Sequence, residues 1–111
     1  MKIYLQRHTY ANNGALCIQA YEAETGFPFA RLTANNDLSR GAIRILLEPN
    51  KGFALIDTNN CPWAESFITD NKIGTPTGYI WEVGFCKYPE YRINLDMIEG
   101  KVYEWKEQNS Y

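Results

Sequence analysis

Residues 79–86 read Tyr-Ile-Trp-Glu-Val-Gly-Phe-Cys, with Tyr79, Trp81, Val83 and Phe85 alternating against Ile80, Glu82, Gly84 and Cys86. A period of two marks a strand whose successive side chains point to opposite faces. The odd-numbered set is the apolar one, so it is expected to form core. Downstream, Lys87-Tyr88-Pro89-Glu90 reads as a turn into a second alternating run, with Tyr91, Ile93, Leu95 and Met97 on one side and Arg92, Asn94 and Asp96 on the other. The two runs are expected to pair as an antiparallel hairpin. Lys101–Lys106 reads as a last strand or a short helix, and the tail from Glu107 is expected to fray.

Working upstream, Lys72–Gly78 holds two Gly and one Pro and reads as a loop. Before it, Pro62 suits a first helical turn, Asn60 or Cys61 offers a cap, and Glu65 complements the positive end of the helix dipole. Trp63, Ala64, Phe67 and Ile68 fall on one stripe, so a helix is expected over Pro62–Asn71. Phe53–Asp57 is a compact apolar run read as a central strand. The segment Ala42–Glu48 fits a buried strand or a helical turn and is read as strand, after a cap at Asn35-Asn36-Asp37 and a short helix through Gly41. In the first third, Lys2–Arg7 and Ala15–Glu22 alternate around an Asn12-Asn13-Gly14 turn. A further strand is read over Phe27–Ala34, where Pro28 argues for an edge position or a strand start because it cannot donate to a ladder. The whole reads as an α+β fold: one antiparallel sheet of about five to six strands with a single main helix packed on one face. Leu16, Ile18, Leu55, Trp81, Val83 and Phe85 are expected to pack against Trp63 and Phe67.

The chain has 111 residues, of which 45% are hydrophobic and 14% aromatic, enough for one domain with its own core. Eleven Lys and Arg face 13 Asp and Glu, for a net charge of −2. Nucleic-acid binders draw affinity from clustered cations, and here the cations are scattered along the chain, so direct nucleic-acid binding is not expected. The carboxylates form no run either, which argues against mimicry of nucleic acid by charge. No stretch has the length of a membrane span or a signal peptide, and a soluble, cytoplasmic protein is expected. The three cysteines, Cys17, Cys61 and Cys86, are odd in number and form no CxxC pair. They read as reduced thiols rather than a disulfide framework or a zinc site, and no metal or other cofactor is expected.

Asp57-Thr58-Asn59-Asn60-Cys61 precedes the helix, where unpaired N–H groups and the helix dipole favour a thiolate. A triad of Cys61, His8 and Asp57 is therefore conceivable, which keeps a small cysteine hydrolase as the alternative function. The favoured reading is structural: Asp57, Asn59 and Asn60 satisfy backbone groups in a turn. The GxSxG, GxxxxGK and GxGxxG signatures are absent. Gly74-Thr75-Pro76-Thr77-Gly78 sets hydroxyls between glycines in a way that suits an anion, but no Lys or helix follows, and it is read as a turn. Eight Tyr and three Trp are many for this length. Such residues anchor protein interfaces because they bury large area at small entropic cost.

The runs Asn13-Gly14 with Leu16–Tyr21, Ala54–Asn60 before Pro62, and Thr77-Gly78 with Phe85-Cys86 and Tyr88-Pro89-Glu90-Tyr91 resemble a family of bacterial proteins of about a hundred residues and unknown function. That family is associated with conjugative elements, phages and gut bacteria, and the resemblance spans residues 12–96. It brings no catalytic residues. It implies an accessory or anti-defence factor of the kind that inhibits CRISPR effectors by covering their surface. The expected partner is a protein or ribonucleoprotein complex, with no membrane contact and with a homodimer through an exposed strand as a further option. The expected contact residues are Tyr79, Tyr88, Tyr91, Arg92 and Asn94, on a surface rather than in a pocket.

Overall fold

A computed structural model describes residues 1–11, 14–34 and 51–106. The short helix through Gly41, the run Ala42–Glu48, the tail from Glu107 and most of the Asn12-Asn13-Gly14 turn lie outside the described residues. The chain forms β1 (Lys2–Thr9), β2 (Leu16–Glu22), β3 (Pro28–Arg31), β4 (Phe53–Leu55), α1 (Ala64–Asp70), β5 (Gly74–Val83), β6 (Cys86–Ile93) and β7 (Val102–Glu104). A 3₁₀ turn, Leu95–Met97, precedes β7. The class is α+β with antiparallel pairing, but the strands divide into two sheets, ordered β3-β2-β1-β7 and β4-β6-β5. Among the described residues, one sheet of five to six strands is thus corrected to two sheets, of four and three strands. Alternation shows that a strand has one buried face and says nothing of which neighbour it pairs with.

The first three strands form the expected meander, with Pro28 opening the edge strand β3. The larger sheet turns Ile3, Leu5, Leu16, Ile18 and Ala20 inward. Against them lie Ala64, Phe67 and Ile68 of α1 and, from the smaller sheet, Ala54, Tyr91 and Ile93. The helix face is the expected one, with Trp63 packed at its border. Its start differs: Trp63 occupies the cap position with no side-chain cap bond. The Asn60 amide is spent on Asp57, so neither Asn60 nor Cys61 caps the helix. The two sheets are joined where the chain continues past β3. Thr33 pairs with Ile56, Leu32 N–H donates to Ile18 O, and Asp57 N–H donates to Leu32 O.

The C-terminal hairpin corrects four expectations. Gly74-Thr75-Pro76 is strand rather than loop, paired with Ile93, Arg92 and Tyr91. Pro76 is tolerated because β5 is an edge strand. The turn lies at Gly84-Phe85 rather than Lys87–Glu90, since Val83 pairs with Cys86. Gly84, at φ 61°, takes the first central position of a two-residue turn, where a positive φ is needed. Pro89 stays in β6 because its carbonyl still accepts from Ile56 N–H, and the reciprocal bond its ring forfeits falls where the β4 ladder stops. Two residues expected in the core stand outside it: Phe85 is fully in solvent at the turn and Tyr79 is 57% exposed. Trp81 is half-buried in a second small cluster with Leu55, Phe53 and Tyr88, away from Trp63 and Phe67. Beyond the hairpin, Leu95 and Met97 leave the strand for the 3₁₀ turn. The run Phe53–Asp57, read as central, gives β4, which among the described residues is an edge of the smaller sheet, while 101–106 resolves to the strand β7.

Candidate functional site

The hairpin carries an interruption that shapes it. Pro76 pairs with Tyr91 and Ile80 with Pro89, so four steps along β5 match two along β6, and Thr77, Gly78 and Tyr79 bulge outward. Glu90, fully buried on β6 opposite this bulge, holds it. Thr77 Oγ1 donates to Glu90 Oε2 at 2.6 Å, and Trp81 Nε1 donates to Oε1 at 3.3 Å. A buried carboxylate costs several kcal/mol unless hydrogen-bonded, which is what these donors supply. Beyond the bulge the ribbon leaves the helix behind. Ile80 is on the α1 side of the sheet yet 64% exposed, and Tyr79 stacks on Trp81 with ring centroids 6.4 Å apart. Among the described residues β5 has no strand on its outer side.

The five expected contact residues part company. Tyr79 and the half-buried Tyr88 lie on the distal ribbon. Tyr91 is only 3% exposed, and its hydroxyl donates to Glu65 Oε1 at 2.8 Å across to α1. Burial first, then Glu65, pushes this phenol up to about 12. It is a core residue rather than a surface anchor, because β6 turns Tyr91 and Ile93 toward the helix. Arg92 and Asn94 are exposed at the opposite end of the ribbon. The Arg92 guanidinium lies 5.7 Å from the Phe53 ring centroid and its Nε donates to Lys51 O. Asn94 Oδ1 accepts from Asp96 N–H and so starts the 3₁₀ turn.

Asp57 is buried, with Oδ1 accepting from Asn60 N–H at 3.2 Å and Oδ2 from the Asn60 amide at 2.8 Å. Asn59 is exposed and its amide reaches Cys86 Sγ at 3.5 Å. Cys61 is buried and its thiol points to Arg31 O. Burial, followed by the Asp57 charge, pushes the Cys61 thiol up, the reverse of what a nucleophile needs. His8 is exposed on β1 and shares a hydrogen bond with Tyr21, so the three candidate triad residues do not assemble. All three cysteines are free, and no three metal-ligating side chains gather among the described residues. No helix there is long and apolar enough to cross a membrane.

Two features carry no signal in the sequence. One is the buried Glu90 clamp, which sits inside what reads as a polar turn. The other is an open cavity of about 840 Å³ between the two sheets and the end of α1, bordered by Arg7, Lys51, Lys72 and Arg92. The four cations are 20 or more residues apart in sequence. Only the fold brings them together.

Comparison with known proteins finds a match over residues 4–110 to a family described as a domain of unknown function, DUF4313. No curated protein and no solved structure matches the chain.

Proposed function

The chain belongs to the DUF4313 family, whose function is unknown, and we propose that it is a small non-enzymatic module that docks on a protein through the distal part of the β5–β6 hairpin. One observation carries this reading: three large apolar side chains, Tyr79, Ile80 and Phe85, stand in solvent on one short ribbon. Exposed aromatic and aliphatic side chains on a protruding element are a costly arrangement for a lone domain and the usual anchor of an interface. Among the described residues no strand of the chain lies on the outer side of β5, so a partner strand, from another protein or a second copy, can build there. Tyr88 borders this surface, while Arg92 and Asn94 lie beyond it.

The proposed setting is the cytoplasm of a bacterium carrying mobile DNA, and the proposed partner is a protein or ribonucleoprotein defence complex whose surface the module occludes. A tagged chain expressed in a host with such a system is expected to co-purify with it. Replacing Tyr79 and Phe85 together with Ser is expected to release the complex without lowering the melting temperature, since neither ring is buried. Retention of the complex by this variant would refute the assignment. Self-association alone, seen as a sedimentation coefficient that rises with concentration and falls in the same variant, would replace the foreign partner with a second copy.

A further inference from the structure

We propose that the cavity bordered by Arg7, Lys51, Lys72 and Arg92 is a binding site for a small, multiply charged anion of the phosphate class. The cavity brings cations from four separate segments: β1, the turn ahead of β4, the second residue after α1, and β6. A chain of net charge −2 has no electrostatic reason to gather four positive side chains around one hollow. Among the described residues that border the hollow, the carboxylate of Asp96 is the one acidic group. Among the described residues neither Arg7 nor Lys72 forms a salt bridge, so both charges remain available to a ligand. The carbonyl end of α1 adds partial negative charge to the rim, and Lys72, two residues past the helix at φ 57°, offsets that.

The chemistry of the wall narrows the ligand. Two guanidiniums and two ammoniums suit clustered phosphate oxygens, with the forked guanidinium able to bind two at once. Thr75 and Asn94 supply neutral polar groups, and Gly74 packs tightly against β6 beside them, where a β-carbon would meet Arg92 O at 2.8 Å. Among the described residues no aromatic side chain lines the cavity, and none of them offers a platform for stacking a base. The volume of about 840 Å³ is that of a small-molecule site. This inference is independent of the hairpin reading, since none of the hairpin's exposed apolar residues borders the cavity.

The test is calorimetric titration of the full chain with tripolyphosphate at about 50 mM salt, where screening is weak. One site is expected, weakened at least about tenfold by the double change Arg7→Gln and Lys72→Gln, as charge-assisted contacts are lost. The double change Lys87→Gln and Lys101→Gln, which removes two exposed cations that do not border the cavity, is expected to leave the affinity as it is. Amide shifts in the unaltered protein provide a readout that needs no variant, and they are expected to concentrate at Gly74, Thr75 and Asn94. Equal weakening by both double variants, shifts scattered over the surface, or no binding at all would overturn the site. So would tighter binding of a single-stranded oligonucleotide than of tripolyphosphate, since that would make the hollow part of a nucleic-acid surface. The Tyr79 and Phe85 variant is expected to bind tripolyphosphate normally.

Discussion

Phe67 shows how a single residue joins sequence to core. It is 7% exposed and meets Trp63 and Tyr103 edge-on, with centroids 5.8 Å apart in both pairs. Phe67→Ala is expected to cost about 3–5 kcal/mol in denaturant unfolding, the sum of lost transfer energy and an unfilled cavity. A loss under about 1 kcal/mol would mean that the helix does not pack as described. The thiols provide a second check at this scale. Cys17 and Cys61 are buried whereas Cys86 is half-exposed on β6, and Cys61 also has a raised pKa. Iodoacetamide is expected to modify Cys86 first, and fastest labelling at Cys61 would revive the hydrolase alternative. Helix stripe residues were legible from their spacing. The burial of Tyr91 was legible only as alternation, because nothing in a sequence distinguishes an inward tyrosine satisfied by Glu65 from an outward one.

Among the elements, the meander and α1 could be read directly, since hairpin turns and a 3.6-residue stripe are local signals. The C-terminal hairpin was found but misplaced by several residues. Its turn is set by Gly84, while the Pro and Gly residues that looked like punctuation at 74–78 form an edge strand with a bulge. Punctuation signals assume regular ladders, and the Glu90 clamp that holds this bulge is a long-range fact. Gly52 shows the converse, a glycine whose role only packing reveals. It has φ 85°, its carbonyl accepts from Ile93 N–H at 2.7 Å, and a β-carbon would fall 2.1 Å from Ile93 O. Gly52→Ala is expected to destabilise the chain by about 2–4 kcal/mol, combining left-handed strain with overpacking, as measured by urea unfolding. A change within about 0.5 kcal/mol would contradict the close approach of this turn to β6.

For the whole molecule, burial of tyrosines ties stability to alkaline pH. Tyr10 and Tyr91 are both raised from 10.0 to about 12, chiefly by burial, and Tyr103 is raised for the same reason. Groups that hold their protons more tightly when folded contribute stability that is complete below their unfolded pKa and lost as pH rises through the folded one. The melting temperature is therefore expected to hold up to about pH 10 and to fall between about pH 10 and pH 12, less steeply in Tyr91→Phe. A flat profile over that window would contradict the burial of these rings. Alternation and turn signals gave the α+β class with antiparallel pairing, which the strand order bears out. Charge arithmetic could not show that four dispersed cations converge, because convergence is a property of the fold.

The central claim is that function resides on the distal hairpin, and site-resolved photo-crosslinking in living bacteria addresses it most directly. A photoreactive phenylalanine analogue is placed in turn at Phe85, at Tyr79 and, as a reference, at Phe27, which is exposed beside β3. The account predicts one discrete crosslinked protein product from positions 85 and 79 and none from position 27. Absence of a product at 85 and 79, or the same product at all three positions, would contradict it.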